Sequence, residues 1–80
     1  MENLHAFTIK YLGPTNTKGS RVKITSERFE QSKTFAYNYT YSNIVDMAEE
    51  YLQKFGFNLV GVAETSKGFI ILSDTFKELR

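Results

Sequence analysis

Apolar and polar residues alternate over HAFTIKYL, residues 5–12, with Phe7, Ile9 and Tyr11 on one side and Thr8 and Lys10 on the other. Alternation with period two is the pattern of a half-buried strand. SRVKIT, residues 20–25, repeats it, with Val22 and Ile24 inward and Arg21, Lys23 and Thr25 outward. KTFAYNYTY, residues 33–41, predicts a third strand, with Phe35, Tyr37, Tyr39 and Tyr41 set against Thr34, Ala36, Asn38 and Thr40. All three runs are rich in β-branched or aromatic residues, which suit a pleated surface. The period then lengthens. Ile44, Met47, Ala48, Tyr51, Leu52 and Phe55 fall on one helical stripe, opposite Asp46, Glu49, Glu50, Gln53 and Lys54. Ser42 or Asn43 can cap the start of this helix, and Gly56 supplies a left-handed stop. FNLVGVAE and GFIILS follow as two strands joined by a turn at TSKG, with Gly61 marking a bulge or a close contact with the helix. Asp74 can cap a last helical turn over DTFKEL.

The order β-β-β-α-β-β predicts a single α+β domain over residues 1–80. It is an antiparallel five-stranded sheet with one long helix on one face, closed by a short C-terminal helix. One helix covers one face only. On the other, Thr8, Lys10, Arg21, Lys23, Thr25, Thr34 and Asn38 make the first three strands polar and basic. Val60, Val62, Ile70 and Leu72 make the last two strands apolar there, which predicts either a homodimer interface or cover from the C-terminal turn.

Composition narrows the function classes. A chain of 80 residues has a thin core. It contains no cysteine, which excludes disulfides and thiolate metal sites and fits a reducing compartment. No run reaches the roughly 18 apolar residues of a membrane helix, and MENLHAFTIK lacks the basic and apolar regions of a secretory signal. A cytoplasmic address and no membrane partner are the expectation. His5 is the only histidine and lies near the N-terminus, so it is expected on the surface. Asp46, Glu49 and Glu50 share the exposed face of the helix, where nothing apolar drives their acidities apart. The expectation is a protein that is not an enzyme, with no catalytic residue, no metal ligand and no cofactor.

Charge matters more by its placement than by its net value of +1. Lys10, Lys18, Arg21 and Lys23 lie between residues 10 and 25 without an acid among them. Such a cluster is either a solvated sheet face or an electrostatic footprint for phosphates. Loop 13–19 lies inside it. Gly13-Pro14 fixes the exit from the first strand, and Gly19 allows a positive φ before the second. Between them Thr15, Asn16 and Thr17 offer hydroxyls and an amide, Lys18 offers a charge, and the backbone N–H groups can form an anion nest. The spacing is not that of a Walker loop, and a strand follows where a helix would be needed. Two readings stay open: a hairpin loop held by its own hydrogen bonds, or a binding loop. The tyrosine stripe is likewise either core or a stacking platform, although strand parity puts it opposite the cations.

KYLGPTNTKGSRVK, residues 10–23, resembles the signature block K-Y-L-G-P-T-N-T-[KR]-G-S-R-[IV]-K of a family of short proteins carried by bacterial phages, plasmids and integrated mobile elements. The resemblance continues at KFGF and VGVAETSKGFIIL and does not extend to residues 26–43. It implies carriage on a mobile element and brings no activity with it. Taken with the residues, it leads to the expectation of a small non-catalytic accessory protein that binds the phosphates of DNA or RNA. Lys10, Thr15, Asn16, Thr17, Lys18, Ser20, Arg21 and Lys23 are the candidate contacts. The alternative is a protein-interaction module, such as an inhibitor of a host defence protein, using the same loop and the exposed sheet face.

Overall fold

The alternating segments pair into one open antiparallel sheet, and the period-3.6 segment lies across one of its faces. The structure, a computed structural model, describes residues 3–66 and 68–79. Strands β1 (His5–Leu12), β2 (Arg21–Ser26) and β3 (Gln31–Ala36) precede helix α1 (Ile44–Lys54), and β4 (Leu59–Thr65) and β5 (Gly68–Ser73) follow it. The sheet order is β3-β2-β1-β5-β4, so β3 and β4 are the edges. The fold is therefore α+β, as the periodicity predicts.

Cross-strand pairing assigns the faces. Phe7 sits opposite Ile71, Ile9 opposite Ile24 and Phe69, and Val22 opposite Phe35. These residues face α1, whose Met47, Ala48 and Leu52 are buried against them. Each large side chain buried here contributes about 1.5–3 kcal/mol relative to exposure. Asn43 is the helix N-cap, its side chain accepting from the Asp46 N–H at 3.0 Å. At the other end Gly56 takes φ 91°, the left-handed stop that the sequence predicts.

Several boundaries differ from expectation. β3 ends at Ala36, and the chain turns away through Tyr39 and Thr40, with Asn38 Oδ1 accepting from both the N–H and the hydroxyl of Thr40. An Asx turn of this kind competes with continuation of the strand. Of the tyrosine stripe, Phe35 packs on Tyr51 with ring centroids 4.5 Å apart, Tyr37 and Tyr41 border the core, and Tyr39 is 78% exposed. The register shifts between Leu59 and Gly61, the bulge that Gly61 suggests, with Val60 the extra residue. That extra residue turns Val62 to the helix side, opposite Ile71, so Val60, Val62, Ile70 and Leu72 do not form one apolar row. Ile70 and Leu72 remain on the open face, beside Thr8 and Ala6. Lys67 of the TSKG turn lies outside the described residues, and Thr65 pairs with Gly68 across it.

No helix forms over DTFKEL. A six-residue segment nucleates a helix poorly, and tertiary bonds take its polar groups instead. Asn58 N–H donates to Thr75 Oγ1 at 3.0 Å, Lys77 Nζ donates to the Phe55 carbonyl, and Leu79 N–H donates to Gln31 Oε1 at 2.8 Å. Leu79 is thereby buried at the end of the core. Among the described residues no helix is long and apolar enough to cross a membrane.

Candidate functional site

The first hairpin carries the candidate residues, and the structure divides them into three groups. Lys10 and Lys23 are directly opposite one another on the open face, and Arg21 lies two residues along β2 on the same face. Opposed residues have Cβ atoms about 4.5–5.5 Å apart, a distance at which like charges repel. No ion pair joins Lys10, Arg21 or Lys23 to a carboxylate of a described residue. Arg21 Nε is shielded from solvent and has no hydrogen-bond partner among the described residues. A buried donor left in that state is costly, and an anion on this face would relieve the repulsion between the two lysines.

The second group is Thr15 and Ser20, which shape the loop. Thr15 Oγ1 accepts from the N–H groups of Lys18 at 3.0 Å and Thr17 at 3.4 Å, while the Thr15 N–H donates to the Lys18 carbonyl at 2.7 Å. These bonds use three of the N–H groups expected to form an anion nest. The loop is closed on itself at that point. Ser20 pairs with the Tyr11 hydroxyl at 2.8 Å, and its carbonyl accepts from the Tyr37 N–H at 2.9 Å, tying the loop exit to the neighbouring strands. Gly19 does not take a positive φ; among the described glycines only Gly56 and Gly68 do. The third group is Asn16, Thr17 and Lys18, exposed at the turn.

The remaining described cations are engaged elsewhere. Arg28 lies over the Phe76 ring at 4.9 Å, Lys33 over Phe55 at 5.2 Å, Lys54 over Tyr51 at 5.7 Å and Lys77 over Phe57 at 5.1 Å. Cations over rings extend apolar cover and gain from the ring quadrupole. Lys10, Lys18, Arg21 and Lys23 have neither ring nor carboxylate against them among the described residues.

Two arrangements escape the sequence reading. Tyr11, Tyr37 and Tyr39 make a ring cluster at the loop end of the hairpin, with centroids 6.1 Å apart for Tyr11–Tyr37 and 4.8 Å for Tyr37–Tyr39. Tyr11 belongs to the helix-side row, but it is 47% exposed rather than core. The signal was the aromatic spacing itself; what it lacks is any statement of where the helix stops covering the sheet.

The other is His5, which is fully buried instead of exposed. Its Nδ1 lies 3.0 Å from the Thr75 carbonyl, an acceptor only, so Nδ1–H donates. In the neutral ring Nε2 then accepts from the Ser26 hydroxyl, 2.6 Å away. This is the hydrogen bond of a nucleophile–base pair, made here between two fully buried residues, with the His5 ring set among Phe7, Phe29, Phe57 and Phe76.

Comparison with protein-family models, with curated proteins and with solved structures gave no match for this chain.

Proposed function

We propose that this protein binds the phosphate backbone of nucleic acid through the open face of its first hairpin. Lys10, Arg21 and Lys23 contact phosphates from the sheet. Lys18, Asn16 and Thr17 add contacts from the turn, and Thr15 and Ser20 hold the turn in shape. The observation that carries this reading is the division of the described cations: four cover aromatic rings, and the four of the hairpin have neither ring nor carboxylate of a described residue against them, two of them opposed across a strand pair. Contacts of this kind fix a backbone and carry little sequence preference. An accessory role on a phage or plasmid, implied by the resemblance of residues 10–23, belongs to the same proposal.

A protein partner at the same end is the second reading, favoured by the exposed rings of Tyr11 and Tyr39, since tyrosine is enriched at energetic centres of protein interfaces. Fluorescence anisotropy of labelled DNA and RNA separates the two. The wild type binds at low salt and weakens as salt rises, and a Lys10→Ala, Arg21→Ala, Lys23→Ala variant that keeps its fold does not bind. Absence of binding at low salt contradicts the phosphate reading and leaves the protein contact.

A further inference from the structure

At the opposite edge of the sheet, β4 has no neighbouring strand on its outer side among the described residues. A sheet edge of this kind presents unpaired N–H and C=O groups, and proteins ordinarily protect it with lysines, prolines or a covering element. β4 is LVGVAET, with no cation and no proline, and Val60 and Val62 are about half exposed. Beside it, between the strand and the first turn of α1, lies an open cleft of about 450 Å³ lined by Asn43, Val45, Asp46, Val62, Glu64 and Phe69. Its walls are of two kinds. Val45, Val62 and Phe69 give an apolar floor, and Asp46, which accepts from the Ser42 hydroxyl at 2.9 Å, and Glu64 bring carboxylates with no cation among the described lining residues. The bulge at Val60 creates this arrangement, because it turns Val62, and with it Glu64, toward the helix side.

We infer that β4 is a docking edge for an extended peptide segment of a partner protein that carries a lysine or arginine. The segment adds as a sixth strand, with backbone bonds to β4 giving affinity and one side chain giving selectivity. A residue paired with Val62 or Glu64 on the helix side has its Cβ about 5 Å from theirs, which delivers a long side chain to the cleft. The methylene stem of a lysine or arginine lies on Val45, Val62 and Phe69, and its charged head meets Asp46 and Glu64. An acidic segment is repelled by the same two carboxylates. The cleft shares no residue with the cation face of the hairpin, so the two sites stand or fall separately.

The test is a titration of the ¹⁵N-labelled full chain with a capped peptide of alternating lysine and valine, and with its glutamate–valine counterpart. The lysine peptide shifts the amide resonances of residues 43–46 and 60–65, and the glutamate peptide does not. In an Asp46→Asn, Glu64→Gln variant, which keeps the side-chain shapes and an otherwise unchanged spectrum, the affinity for the lysine peptide falls by about tenfold. The inference is overturned if the lysine peptide leaves this edge unshifted, if both peptides bind alike, or if the variant binds as well as the wild type. It is overturned equally if the protein alone shows concentration-dependent shifts confined to β4, which would assign the edge to a second copy of this chain.

Discussion

The residue that departs furthest from expectation is His5. A lone histidine near a chain end reads as a surface residue, yet it sits at zero exposure between Ser26 and Thr75, respectively 21 and 70 positions away in sequence. Nothing local in HAFTIKYL announces those partners, because both come from segments whose approach is a tertiary event. Replacing it leaves a cavity among four phenylalanines and strips the Ser26 hydroxyl of its partner. His5→Ala is expected to cost about 2–4 kcal/mol, read from urea unfolding of the variant beside the wild type. Tyr41 illustrates a different dependence. Its hydroxyl donates to Glu50 Oε2, and that bond first, with the carboxylate's charge behind it, pushes its pKa up from 10.0 to about 12. The folded value lies above the ordinary one, so the contact's contribution is complete below about pH 10 and is lost as pH rises toward 12. The Tyr41 ring resonance is expected to titrate at about 12, and Glu50→Gln should return it toward the ordinary value of 10.0.

Among the elements, α1 and the five strands were legible because each carries a pattern of one clear period over many residues. The helix stripe, its Asn43 cap and its Gly56 stop all agree, and agreement of cap, stripe and stop is what makes a local reading reliable. β4 was legible as a strand but not in its phase. Gly61 signalled an irregularity without saying on which residue the extra position falls, and a shift of one residue reverses every side chain beyond it. The C-terminal segment failed for another reason. Its cap signal is sound, but Thr75, Lys77 and Leu79 bond to Asn58, Phe55 and Gln31, and these bonds outweigh one isolated helical turn. Gly68 opens β5 at φ 150°, and a Cβ built there would stand 2.4 Å from the Ile9 carbonyl oxygen. The sequence marks it only as a turn residue. Because the obstacle is backbone of the central strand, Gly68→Ala is expected to cost about 2 kcal/mol or more, measured as a lowered unfolding midpoint.

For the molecule as a whole, the arrangement of charge was readable and its physical state was not. Four cations without an acid between residues 10 and 25 stand out in the sequence, and parity alone puts Lys10, Arg21 and Lys23 outside the helix face. That Arg28, Lys33, Lys54 and Lys77 are each held over a ring, while the hairpin cations are not, emerges only from the folded chain. So does Arg21 Nε, without a hydrogen-bond partner among the described residues. The loop that looked richest in chemistry proves in part self-satisfied through Thr15, and the weight of the candidate site moves from the turn to the sheet. The most direct measurement is the slope of log affinity against log salt for a labelled single-stranded oligonucleotide, wild type against Lys23→Gln. A phosphate contact at Lys23 predicts that the variant's slope is smaller by about 0.7, the share of one contact on a single strand. Equal slopes for the two proteins, or affinity that does not depend on salt, would contradict a phosphate-binding role for this face.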